Sequence, residues 1–192
     1  MSYISLSGNI AVGKSTVLSG LEKHGLSVVY ENLGPKFLSL LDSYNTDPRS
    51  AIHLQTFIND YRYKNAKVGY SSDQVSVHER SMIDDMIFTT YMMAKGEIEE
   101  EAGIEFLDKS HERLVQYPPT KVIYLYSNPE NTISRLLGRG RPQESGQTLM
   151  NIAELEQAHQ MLLPIICEEI GVELVEVDWS EFGDIKKIIN LI

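Results

Sequence analysis

The chain has 192 residues, 42% of them apolar and 23% charged, a balance that fits one compact globular domain and excludes disordered or fibrous chains. Seventeen Lys and Arg against 27 Asp and Glu leave a net charge of −10, which argues against a nucleic-acid polymer or an acidic membrane surface as partner. The one cysteine, Cys167, excludes an intrachain disulfide and a cysteine-based zinc site. With no basic leader and no apolar run of membrane-spanning length, residues 1–192 are expected to form a single cytoplasmic domain.

Short β-rich runs at 3–7, 26–31, 74–79, 121–127 and 172–178 alternate with longer helical ones. Strands separated by helix-length segments predict parallel pairing with crossover helices, hence an α/β fold with a five-stranded parallel sheet flanked by helices. The helices are expected at 13–24, capped by Gly25, then from Asp47-Pro48 to about 69, and at 81–95, ended by Gly96. Further helices are expected at 104–116, 129–138, 148–170 and 182–192, with Pro164 kinking or splitting the helix expected at 148–170. The acidic run 97–101 reads as a solvated face or loop.

Gly8-Asn9-Ile10-Ala11-Val12-Gly13-Lys14-Ser15, followed by Thr16, fits the pattern G-x-x-x-x-G-K-[ST] between a strand and a helix. The glycines let successive backbone N–H groups converge on one anion, and the helix that follows adds its positive end. Lys14 would reach the β- and γ-phosphates of a nucleoside triphosphate, and Ser15 would offer its hydroxyl to Mg²⁺. The pattern gives nucleotide binding rather than a reaction. No Asp-x-x-Gly after the third strand and no Asn-Lys-x-Asp marks a switch GTPase, so a small kinase is the natural class.

Two further clusters point the same way. Arg135, Arg139 and Arg141 fall within seven residues around Gly138 and Gly140, which suits an arginine-rich lid (about 135–147) that closes on transferring phosphate. Glu79-Arg80-Ser81 ends the third β run and Glu31 ends the second. Strand carboxyl ends line the ligand crevice of a parallel sheet, so both carboxylates should project beside the phosphate loop. One could take a proton from an attacking hydroxyl and one could hold Mg²⁺.

Gly8-Asn9-Ile10, Gly13-Lys14-Ser15, Glu31, Gln55, Glu79-Arg80-Ser81 and Arg139-Gly140-Arg141 together resemble the deoxynucleoside kinase family over nearly the whole chain. The resemblance implies a P-loop kinase fold, ATP and Mg²⁺, a deoxynucleoside acceptor and a homodimer. It implies that Glu31 accepts the 5′-hydroxyl proton, that Glu79 is linked to Mg²⁺ or is itself the base, and that Arg80 holds Glu31 and the phosphoryl group. Gln55 would read the base edge, Phe88 would stack on the base, and Tyr44 with Glu144 would hold the 3′-hydroxyl. Arg135, Arg139 and Arg141 would be lid cations, and the segment from Asp178 to Phe182 would pass over adenine.

Two departures from the family pattern stand out. Asn32-Leu33-Gly34-Pro35 follows Glu31 where the family often has Glu-Pro and then Trp, leaving Phe37 as the nearest aromatic wall. The helix after Ser81 is one residue short before Phe88, so either Asp84 or Asp85 takes the base-reading position. Arg62, seven residues after Gln55 on the same helical face, pairs with that Asp in members that take deoxyadenosine, deoxyguanosine or deoxycytidine rather than thymidine. Two other readings share the phosphate loop. A nucleoside monophosphate kinase, such as a thymidylate kinase, would use Arg62 or Arg80 for the acceptor phosphate. A non-catalytic nucleotide-binding module would not need Glu31 or the lid arginines.

Overall fold

The computed structural model describes residues 3–140, 146–181 and 183–192. Five strands, β1 (Tyr3–Gly8), β2 (Ser27–Val29), β3 (Ser76–Glu79), β4 (Lys121–Tyr126) and β5 (Glu173–Asp178), form one parallel sheet in the order β2-β3-β1-β4-β5. Alternate side chains of the inner strands feed two cores. Ile4, Leu6, Ile123 and Leu125 pack with Val17, Leu18 and Leu21 of α1 (Lys14–Lys23) and with Trp179. Tyr3, Val122 and Tyr124 face the opposite layer. That layer holds α3 (Ala51–Ser71), α4 (Met82–Ala94), α5 (Glu100–Gln116) and α7 (Leu149–Glu169). The inner strands therefore carry apolar side chains toward two covered faces rather than one wet and one dry face.

Several boundaries differ from expectation for identifiable reasons. The chain between β2 and α3 contains an unanticipated helix, α2 (Gly34–Thr46), which has no fully buried residue and so no inward stripe to read. Asp47 accepts the Arg49 N–H at 3.1 Å and opens a 3-10 turn (Pro48–Ser50) before α3, where a continuous helix was expected. Helix α5 begins at Glu100 rather than 104, so Glu100 and Glu101 lie on a solvated face of its first turn, where their charges complement the helix dipole. Pro164 neither splits nor ends α7. Leu163, Ile166 and Cys167 are buried on either side of it, and that packing offsets the cost of an interior proline, about 3 kcal/mol for the missing backbone bond and the ring clash together. After α6 (Pro129–Arg139), α7 and β5, the last helix is short: α8 (Ile185–Ile189), capped by Asp184, replaces the longer run expected at 182–192. Gly25, at φ +83°, closes α1 as anticipated, with its N–H on the Glu22 carbonyl at 2.9 Å. Among the described residues no helix is long and apolar enough to cross a membrane.

Candidate active site

The site lies at the carboxyl ends of β1, β2 and β3. Gly8, the last residue of β1, has φ +141°, and a Cβ there would stand 2.4 Å from the Leu125 carbonyl oxygen of β4. Only glycine lets the chain turn this close to the neighbouring strand. The loop runs on through Ala11 at φ +59° and Gly13 at φ +119°, the residue that caps α1. Asn9 anchors the loop's start. Its Nδ2 donates to the Ile152 carbonyl at 2.8 Å and to Glu156 Oε2 at 3.1 Å, and its Oδ1 accepts the Ile10 N–H. Tyr124 holds the other oxygen of Glu156, so the loop rests on α7 through a buried carboxylate.

Lys14 folds back over this loop, donating to the Gly8 carbonyl at 3.0 Å and the Asn9 carbonyl at 2.6 Å. Burial and the nearby Arg80 guanidinium push its pKa down to about 7, against Glu79, Asp84 and Glu31. Ser15, the next residue, donates to Glu79 Oε1 at 3.0 Å, while Glu79 Oε2 accepts the Glu31 N–H at 3.2 Å.

Glu31 is the meeting point of two arginines. Arg80 Nη1 donates to Glu31 Oε2 at 3.0 Å, and Arg62 Nη2 to Oε1. Burial alone would raise the Glu31 pKa, but Arg62, Arg80 and Lys14 outweigh it and hold it below the ordinary carboxylate value. Arg80 adopts φ +66°, a strained conformation for a non-glycine residue, and its guanidinium lies 5.3 Å from the Phe88 ring.

Adjacent aspartates on α4 point to different partners. Asp84 closes a capping box with Ser81, accepting its N–H at 3.0 Å, and also accepts from Ser7 Oγ of β1 at 2.7 Å. Asp85 accepts from Arg62 Nη1 on one oxygen and from Asn59 Nδ2 on the other at 3.0 Å. Burial pushes Asp85 up to about 7 against the pull of Arg62 and Asn59. For Arg62, burial disfavours the charge, but Asp85 and Glu31 outweigh it and keep the guanidinium protonated. Of the two candidates left open by the sequence, the residue facing Arg62 is Asp85.

The model of the deoxynucleoside kinase family matches residues 4–192. The chain belongs to that family. A deoxyguanosine kinase of Dictyostelium discoideum is 27% identical over 194 residues, covering 97% of this chain and 67% of that enzyme. A deoxyadenosine kinase of the same organism is 24% identical over 193 residues, covering 99% and 77%. The solved deoxyadenosine kinase of M. mycoides, with the products dCMP and a flexible dCDP bound, superposes with a TM-score of 0.80 at 20% identity over 98% of this chain and 95% of that one. The P-loop kinase fold expected from the sequence is thus shown, and the chain is a kinase that phosphorylates the 5′-hydroxyl of deoxynucleosides with ATP as donor. The monophosphate-kinase and non-catalytic readings are not favoured.

In this kinase the remaining sequence candidates are placed as follows. Gln55 is 3% exposed on α3 with its amide on Met92 Sδ at 3.4 Å. Phe88 is half-buried, edge-on to His159 at 5.7 Å. Tyr44 gives its hydroxyl to Glu97 at 2.8 Å, so a member of the acidic run is a partner rather than solvated charge. Phe37 is half-buried on α2. Asp178 closes a turn with the Ser180 N–H at 2.9 Å. Arg135 donates to the carbonyls of Val12 at 2.8 Å, Trp179 at 3.0 Å and Ser180 at 2.7 Å, which joins the phosphate loop to the turn after β5. Arg139 ends α6. Arg141, Glu144 and Phe182 lie outside the described residues. Sequence reasoning missed Asn59, whose placement one turn after Gln55 and three residues before Arg62 was the available signal. It also missed Glu97, Glu156 and Ser7, which no local pattern marks.

Proposed function

We propose that the kinase prefers deoxyadenosine, deoxyguanosine or deoxycytidine to thymidine, and that Glu31 is the group that takes the 5′-hydroxyl proton. The observation that carries this is the chain Arg80–Glu31–Arg62–Asp85, a catalytic-type carboxylate linked to a buried cation–carboxylate pair by one guanidinium. Gln55 and the Arg62–Asp85 pair supply donors and acceptors for a base carrying an exocyclic amine or a purine edge, and Phe88 supplies a face for stacking. The relatives named as deoxyguanosine and deoxyadenosine kinases support this choice.

Glu31 is held ionised, so it accepts a hydrogen bond from the 5′-hydroxyl and orients that oxygen at the γ-phosphorus. A weakly basic carboxylate suffices, because the phosphoryl transition state is loose and the proton leaves late. Arg80 and Lys14 lie within reach of the charge that spreads over the γ-oxygens, with the lid arginines Arg135, Arg139 and Arg141 completing the set. Backbone N–H groups from Gly8 to Thr16 cradle the phosphates. Tyr44 with Glu144 serves the 3′-hydroxyl, Phe37 walls the base, and Asp178 to Phe182 covers adenine.

Ser15 Oγ and Glu79 Oε1 are hard oxygen donors side by side next to the phosphate loop, which suits Mg²⁺ shared with phosphate oxygens. When bound, the ion supplies charge neutralisation on the β- and γ-phosphates. The reading extends to a single cytoplasmic domain, on length, composition and the lone cysteine, and to a homodimer, on the family resemblance. The test is product formation from Mg²⁺-ATP with each of four deoxynucleosides and their 5′-monophosphates, resolved by ion-exchange chromatography. Monophosphate formed fastest from an amine-bearing base supports the proposal. Preference for thymidine overturns the base assignment.

A further inference from the structure

The Arg62–Asp85 pair does not end at Asp85. Asn59 is 1% exposed between α3, α4 and α5 and uses all of its polar atoms. Its Nδ2 donates to Asp85 Oδ2 at 3.0 Å and to Ser110 Oγ at 2.8 Å, and its Oδ1 accepts from Arg113 Nη1 at 2.6 Å. Arg113 is itself held by Asp60 at 2.7 Å and by the Tyr63 ring, 4.8 Å from its guanidinium. This arrangement fixes the amide's orientation. Turned over, Asn59 would aim its NH2 at a guanidinium and its oxygen at a carboxylate, and both contacts would be repulsive.

We propose that Asn59, locked by Arg113, is a positioning residue for nucleoside recognition: it holds one oxygen of Asp85 so that the other carries Arg62. The proposal rests on the reading of Arg62 and Asp85 as the base-recognition pair. Arg62 is shared between Asp85 and Glu31. When Asp85 turns away or takes a proton, the guanidinium is left to Glu31 alone, and the recognition side of the site loses its cation. Asn59 therefore sets how that one charge is divided between the nucleoside and the reacting end.

The groups facing Asp85 are Arg62 and Asn59 from α3, Asp84 on its own helix and Glu31 beyond β2, with Ser110 of α5 behind Asn59. Burial, Asp84 and Glu31 favour its neutral form; Arg62 and Asn59 favour the carboxylate. Loss of the Asn59 donor must therefore move Asp85 protonation to higher pH.

The experiment measures KM for deoxynucleoside, KM for ATP and kcat from about pH 5.5 to 9 for wild type, Asn59→Leu, Arg113→Met and Arg62→Met. Asn59→Leu should raise the nucleoside KM about tenfold, as loss of a hydrogen bond to a charged group implies, and leave the ATP KM within about twofold. Its acidic limb in kcat/KM should move to higher pH. Arg113→Met should do the same to a smaller degree. It decides the question alone if Asn59→Leu does not fold, because Arg113 lies at the more exposed end of the network. A merely structural role lowers the active fraction and kcat, and moves neither the nucleoside KM nor the limb; that result overturns the proposal. An Arg62→Met enzyme with wild-type nucleoside KM overturns the base-recognition reading itself. A raised KM in Arg62→Met beside unchanged Asn59 and Arg113 variants overturns only the role of Asn59.

Discussion

Replacing Asp84 by Ala should cost stability well beyond an average surface change. The side chain is fully buried, and its loss removes the Ser81 N–H bond of the capping box and the Ser7 hydroxyl bond, at 3.0 and 2.7 Å. A lost helix cap costs about 1 kcal/mol, and a buried hydroxyl stranded without its acceptor about 1–3 kcal/mol, giving roughly 3 kcal/mol together. For a chain of this size about 1 kcal/mol corresponds to about 2–4 °C, so Tm should fall by about 6–12 °C in melts followed by circular dichroism. The pH dependence follows from charge. Burial opposes ionisation of Asp84, but His159, Arg80 and Arg62 outweigh it and hold its pKa well below the carboxylate range. The depressed value means its contribution is present above the unfolded carboxylate pKa, about 3.9, and fades as pH falls through the folded value. The gap in Tm between wild type and Asp84→Ala should therefore narrow below about pH 4. A gap under about 2 °C at pH 7, or one constant down to pH 3, would refute this account of Asp84.

Glu31→Gln keeps the side-chain shape but removes the base, and its single amide oxygen can accept from only one of Arg62 and Arg80. Turnover should fall about 10²–10⁴-fold while ATP affinity, read by calorimetry, stays within about threefold, and unchanged turnover would reassign the base to Glu79. Lys14 is depressed to about 7, and phosphate favours its protonated form, so ATP affinity should weaken by up to about tenfold per pH unit above 7. Calorimetry at pH 8 in buffers of different ionisation heat should show proton uptake on binding, and an affinity flat to pH 9 contradicts this. Gly8→Ala places a Cβ 2.4 Å from the Leu125 carbonyl oxygen, so ATP binding, followed with a fluorescent analogue, should be lost. Binding within about threefold of wild type would show that the loop tolerates the shift.

The strands and most helices were legible because each buries a stripe or face whose period shows in the sequence. α2 was not, since a helix with no fully buried side chain imposes no period on its residues. The phosphate loop could be read because its chemistry demands fixed types at fixed spacing. Asp84 and Asp85 could not be separated that way. They are identical neighbours about 100° apart on one helix, and only the position of β1 and α3 decides which meets Ser7 and which meets Arg62. The acidic run shows the same limit at Glu97, which is bound to Tyr44, while Glu100 and Glu101 stay on a solvated helical turn. Asn59 shares a helical face with Gln55 and Arg62, which marks it as polar and inward, but its role comes from Asp85, Ser110 and Arg113 on the two other helices that converge on it.

Arg135 gives the donor side of the site a mechanical property. One flat cation spans from the Val12 carbonyl to those of Trp179 and Ser180, so the width between the phosphate loop and the turn after β5 is gauged by a guanidinium rather than by the sheet alone. A lysine has a single nitrogen and cannot keep that three-point span. Thermal spreading of the strands must break these charge-assisted bonds before the two walls can part.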